Sequence, residues 1–339
     1  MSSSTKINSH QRPSFNRIMS KYIIVAVLVL FQFGCSQNNE QIDYVDDTFE
    51  IDQVPQQIVE ARSFLGAGLV RPDFDELTHQ RLMSNLETAI KNFNADPHNP
   101  ESIIWVARHT AYLWRYQDAI YILTDALQEY PDDPRLYRHR GHRYITVREI
   151  DKAIDDLTKA RELIIGQPDE VEQDGAPNEA NVPVSTLHFN IHYHLGVAQY
   201  INGDFDDAVD SFRNALNVSR NSDTDVSAAD WLYMSLNRAN RGDQATQFIQ
   251  GFNTQVKVLE SQSYLKRIQL YKGELHVEDL LSGSNELDII TQGYGVAMHH
   301  LLNGDVDETI HLLNRVIDTN YWAAFGYIAA EADLARGIQ

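Results

Sequence analysis

Apolar and small residues along the middle of the chain return every three or four positions, the spacing of one helix face, and the pattern itself then repeats. Ala119, Leu123 and Ala126 recur as Ala153, Leu157 and Ala160, each displaced by 34 residues. The two units are PESIIWVARHTAYLWRYQDAIYILTDALQEYPDD (100–133) and PRLYRHRGHRYITVREIDKAIDDLTKARELIIGQ (134–167). A third, FNIHYHLGVAQYINGDFDDAVDSFRNALNVSRNS (189–222), puts Ala208, Phe212 and Ala215 in matching places after an insertion of 21 residues. Later, NGDVDETIHLL echoes NGDFDDAVDSF, so Gly304 and Asp305 repeat Gly203 and Asp204, while Gly242 and Gly273 mark weaker turns. Outside an irregular segment at 166–184, the alternating runs that strands need are scarce.

The small residues have a steric role. Ala107, Gly141 and Gly196 let the two helices of a hairpin approach closely, and Ala126, Ala160 and Ala215 do the same toward the next hairpin. A repeat of 34 residues with small and aromatic residues in these places resembles the tetratricopeptide-repeat family, whose unit is a pair of antiparallel helices. The resemblance implies an all-α fold, a right-handed α-solenoid of stacked hairpins with a concave groove where partners bind and a helix closing the end. Segments follow from it: a signal peptide at 1–34, an acidic tether at 35–60, a helical half repeat at 61–99 and two regular repeats at 100–167. After these come an acidic insertion with prolines at 168–188, the third repeat at 189–222, degenerate repeats at 223–320 and a capping helix at 321–339.

In this register PRLYRHRGHRY (134–144) is most of one helix, and its residues divide between two faces. Tyr137, Gly141 and Tyr144 make the packing face, and Arg135, Arg138 and His142 make the face that the family turns toward the groove. The same register places Arg108 and Tyr112 on the groove side of the first unit, and Asn190 and Tyr193 on that of the third. The expected groove is cationic and aromatic and suits a protein or peptide bearing carboxylates; the competing reading makes these arginines a solvated helix face. The carboxylate clamp of some family members is not carried over, because Ile104, Arg108, His139, Asn190 and His194 do not reproduce its lysine, asparagine and arginine. Arg140 stands where the family has Leu, and either runs its stem along the core edge or pairs with a carboxylate such as Asp156.

Charge sharpens the contrast. The chain has 339 residues and a formal net charge of −20. Residues 1–34 hold Lys6, Arg12, Arg17 and Lys21 and no acid, so the remainder has 24 basic residues against all 48 acidic ones. A body this acidic repels phosphate backbones, which argues against nucleic acid as a partner. The run YIIVAVLVLFQFGC ends on Cys35, the chain's one cysteine. It is shorter than a membrane span and has the length of a secretory signal core. With a cysteine at its end it resembles a bacterial lipoprotein signal, although Gln32 and Phe33 stand where such signals usually carry Leu and a small residue. That resemblance implies lipidation at Cys35 and a cell-envelope location, with Ser36 favouring the outer membrane. Met19 is an alternative start, and a single cysteine excludes internal disulfides.

Two features leave alternatives open. The insertion GQPDEVEQDGAPNEANVPVST holds five acids and no base, and is either a lid over the arginine-bearing helix or a solvated connector. The histidines His139, His142, His188, His192 and His194 lie on neighbouring helices, and the i, i+4 pair His188 and His192 could share a metal. No HExxH, GxSxG or phosphate-loop pattern occurs. The leading expectation is therefore a non-enzymatic scaffold without cofactor; the alternative is a metal-binding protein or metal-dependent enzyme built on the histidines.

Overall fold

Fourteen helices and one small β-hairpin make up the described residues, 58–175, 178–281 and 286–338 of this computed structural model. All of them lie in the unit that begins at Gln57. Cys35 and the segment read as a signal lie outside the described residues.

Strand β1 (Val59–Arg62) pairs antiparallel with β2 (Gly68–Val70). This corrects the start of the expected helical half repeat at 61–99 and the end of the tether at 60. Strands of four and three residues are too short to show alternation in a sequence. They are held by tertiary contacts: Glu60 is buried against Arg71 and accepts from the Gln117 backbone N–H, and Trp322 Nε1 donates to the Val70 carbonyl at 2.7 Å.

Helix α1 (Glu76–Ala95) follows alone, and six hairpins then succeed one another among the described residues. They are α2 (Pro100–Tyr112) with α3 (Tyr116–Glu129), α4 (Pro134–Thr146) with α5 (Ile150–Leu163), and α6 (Leu187–Asn202) with α7 (Phe205–Val218). The less regular ones are α8 (Ser222–Arg238) with α9 (Gly242–Gly251), α10 (Gln262–Tyr271) with α11 (Val277–Leu281), and α12 (Glu286–Leu302) with α13 (Val306–Ile317). The first two hairpins start alike. Asn99 and Asp133 cap α2 and α4 with their side chains, and Pro100 and Pro134 take the first helical positions, where a missing N–H costs nothing.

Every hairpin turn contains one left-handed residue: Trp114, Arg148, Gly203, Asn240, Gly273 and Gly304, with φ between 56° and 94°. Only glycine adopts this conformation without strain. Close packing explains the buried glycines as well. A Cβ on Gly141 would sit 2.7 Å from Leu157 Cγ, and one on Gly196 would sit 2.8 Å from Phe212 Cζ.

The first helix of each hairpin touches the first helix of the next, and α14 (Phe325–Arg336) touches α12, α13 and also α6. The chain thus returns on itself. Trp322 meets Trp114 edge-on at 4.9 Å, Arg148 Nε donates to Glu331 at 2.9 Å, and Arg336 donates to the Ile201 carbonyl at 2.6 Å. Tyr294 joins Tyr200 and Asp333, and Arg238 also reaches Asp333. Arg267 and Asp230, both without exposed surface, pair at 2.9 Å. Helix α14 is buried from Gly326 through Asp333, so it is wedged between helices on several sides. Along α6, α8, α12 and α14 the inner side of the array is filled by the chain's own aromatic and charged residues.

Candidate partner-binding cavity

The inner side stays open at α2, α4 and α6, where a cavity of about 280 Å³ lies beneath residues 172–175. Helix α2 supplies Arg108 and Tyr112, α4 supplies Arg138, His139, His142 and Arg143, and α6 supplies Asn190, Tyr193 and His194. Six of the seven residues assigned to the groove from the sequence line it. Arg135 does not: Asp133, the cap of α4, holds its guanidinium at 2.6 Å, with Glu101 at 3.3 Å.

Three guanidiniums converge here. Arg138 is 8% exposed and pairs with Glu172 at 2.8 Å; its Nη1 donates to His139 Nδ1 at 3.0 Å, and its Nε has no hydrogen-bond partner. Burial brings this guanidinium down to about 10, although Glu172 pulls the other way. Arg143 donates to His142 Nδ1 at 2.7 Å and lies over the Tyr116 ring. Arg108 stacks on Trp105 and donates to the Gln173 carbonyl at 2.7 Å. No carboxylate within salt-bridge distance of Arg108 or Arg143 occurs among the described residues. Sequence reasoning missed Arg143, which sits between the two faces drawn on α4.

The imidazoles are neutral for a physical reason. His139 and His142 each accept a hydrogen bond from an arginine, which leaves Nδ1 unprotonated and the proton on Nε2. His194 Nδ1 donates to the Asn190 carbonyl at 2.6 Å. Burial first, and the neighbouring arginines after it, hold all three well below the ordinary imidazole value. His142 stacks on His194 at 4.4 Å, and Phe325 of α14 closes against both rings.

The five histidines do not form one centre, which overturns the metal alternative as placed. No group of three or more ligating side chains occurs among the described residues. On α6, His188 and His192 share a face and His194 is turned away by about 200° from His192. The lone pairs of His139 and His142 that a metal would use are held by Arg138 and Arg143.

Residues 172–174, 184 and 185 of the acidic insertion line the cavity. The insertion's root is tied by the bridge between Val171 and Thr186 and by Glu172 N–H to the Ser185 carbonyl at 3.0 Å. Asn190 anchors the returning strand of the insertion through Ser185 Oγ at 2.9 Å. The choice left open for Arg140 is also decided: it forms a two-pronged pair with Asp156, both arms at 2.7 Å.

No protein-family model matches the chain, and no curated protein does. Solved structures do. A tetratricopeptide repeat protein from Parabacteroides merdae ATCC 43184 is 15% identical, over 77% of this chain and 94% of that one, with a TM-score of 0.43. YrrB, described as a TPR protein with an unusual peptide-binding site, is 15% identical over 69% and 93%, with a TM-score of 0.39. MamA AMB-1 is 19% identical over 51% and 88%, with a TM-score of 0.38. The repetition is visible in the hairpins themselves: the left-handed turn residues Trp114 and Arg148 keep the 34-residue spacing of the packed alanines.

Proposed function

We propose that the protein is a non-enzymatic scaffold, anchored in the cell envelope through a lipid on Cys35, that holds a carboxylate-bearing protein or peptide in the cavity between α2, α4 and α6. One observation carries the reading. Three guanidiniums line the cavity together with the carboxylates of Glu172, Asp174, Asp223 and Glu260; Glu172 pairs with Arg138, the most buried of the three arginines, and the Arg138 Nε is left unpartnered, in a protein of net charge −20. A buried cation without its full set of acceptors is costly, and an incoming carboxylate removes that cost. The acidic exterior disfavours nucleic acid, and Tyr112 and Tyr193 add aromatic contact suited to a peptide. The reading involves no cofactor, and the outer membrane is the favoured location because Ser36 follows the cysteine.

Selection of random peptides on the full chain tests it. Peptides retained by the wild type should be enriched in Asp and Glu, and the enrichment should vanish with Arg138→Gln. Retained sequences with no excess of acids would sink the reading.

A further inference from the structure

Residues 172–174 line the cavity, and together with Gly175 they engage Arg138, Arg108 and Tyr112. Glu172 Oε1 lies on Arg138, while its Oε2 is buried and has no hydrogen-bond partner. The Gln173 carbonyl accepts from Arg108. Gly175 lies so close to Tyr112 that a Cβ there would clash with the phenol ring, and the ring or the segment must shift to admit one. The segment is held almost without apolar burial: Val171 beside it is 53% exposed. Against the cavity wall the segment makes one half-satisfied ion pair and one carbonyl contact, which a better pair of the same kind can replace once the Glu172 N–H bond to the Ser185 carbonyl opens.

We infer that this segment is an internal copy of the partner. The partner is an acidic peptide that enters extended, sets a carboxylate on Arg138 and the next carbonyl on Arg108, and places a glycine three residues after the acid against Tyr112. It displaces residues 172–175 as it binds. The inference rests on the cavity being the partner site, and adds what the partner looks like and what it must compete with. Its carboxylate can take both Arg138 Nη2 and the unpartnered Nε, a two-pronged geometry that Glu172 leaves half made.

The experiment uses the full chain and a labelled, end-capped peptide Glu-Val-Glu-Gln-Asp-Gly, the sequence of residues 170–175, followed by fluorescence polarisation. An occupied site lowers apparent affinity by the fraction of molecules in which it is free, so a segment in place about nine times in ten costs roughly tenfold. Glu172→Gln should therefore bind the peptide about tenfold more tightly than the wild type. Gly175→Val, which wedges the segment away from Tyr112 and leaves Arg138 untouched, should gain similarly and stands in if Glu172→Gln fails to fold. Replacing the second Glu of the peptide by Gln, or its Gly by Val, should abolish the gain. If acidic peptides bind wild type and both variants equally, or bind regardless of the glycine, the internal copy is refuted while the cavity reading stands. If no acidic peptide binds any of the folded chains, both are refuted.

Discussion

Arg138 and its neighbours show how a few buried polar groups set each other's charge. The guanidiniums of Arg138 and Arg143 need acceptors, and the imidazoles of His139 and His142 respectively serve as such, which requires both rings to stay neutral. This fixes a sign for pH dependence. Below the ordinary imidazole value of about 6.5 the unfolded chain takes up protons that the folded chain refuses, so stability falls as pH drops through that value and continues falling toward the folded values. His192, brought down to about 4 mainly by burial, acts in the same direction. Asp230 acts the other way, because burial raises its carboxyl to about 7 and the folded chain binds that proton first. Burial lowers His109 and His299 as well and raises Asp125, Asp156 and Glu260 alongside Asp230; the six lowered histidines outweigh the four raised carboxyls, and urea midpoints should be lower at pH 5.5 than at pH 7. Imidazole carbon signals of His139, His142 and His194 that titrate with ordinary midpoints would refute this. The arginine-rich stretch was legible as two faces because Gly141 marked one of them. Arg143 and the pairing of His142 were not, since burial by α14 and the insertion leaves no local trace.

At the scale of elements, spacing alone carried most of the information. The 34-residue recurrence of Ala119, Leu123 and Ala126 placed three hairpins, and Gly203, Gly273 and Gly304 marked three of six turns. The other turns use Trp114, Arg148 and Asn240 in the same left-handed conformation, so composition hid what geometry repeats. Trp114 and Arg148 are kept in a strained backbone by contacts with Trp322 and Glu331, distant in sequence. The short β-hairpin was invisible for a related reason, as its partners Gln117 and Trp322 lie far along the chain. Where the sequence does show a small residue, its steric duty can be measured. Gly196→Ala gains helix propensity but drives a methyl against the fully buried Phe212 ring. Overpacking of this kind costs about 1–3 kcal/mol, more than the propensity gain of up to ~1 kcal/mol. Urea denaturation should show a net loss; an unchanged or raised midpoint would contradict the packing account.

Across the whole described unit, the repeats do not leave an open trough. The C-terminal stretch passes the turns of the first three hairpins, and the buried pair of Arg148 with Glu331, 2% and 1% exposed, locks it there. Among the described residues no helix is long and apolar enough to cross a membrane. Self-closure fills the inner side from the third repeat onward with the chain's own rings and ion pairs, and leaves open the cavity lined by Arg108, Arg138 and Arg143. The repeat pattern implied a groove; how little of it remains open depends on α14 returning to α6, which no local pattern announces. The most direct measurement of the central claim is the arginine Nε–H spectrum of the full chain, labelled with nitrogen-15 arginine, during titration with an acidic peptide. The Arg138 signal, whose Nε has no partner in the free protein, should move downfield to a new hydrogen-bonded position, with Arg108 and Arg143 following. A peptide that binds while these three signals stay in place would show that the partner site lies elsewhere.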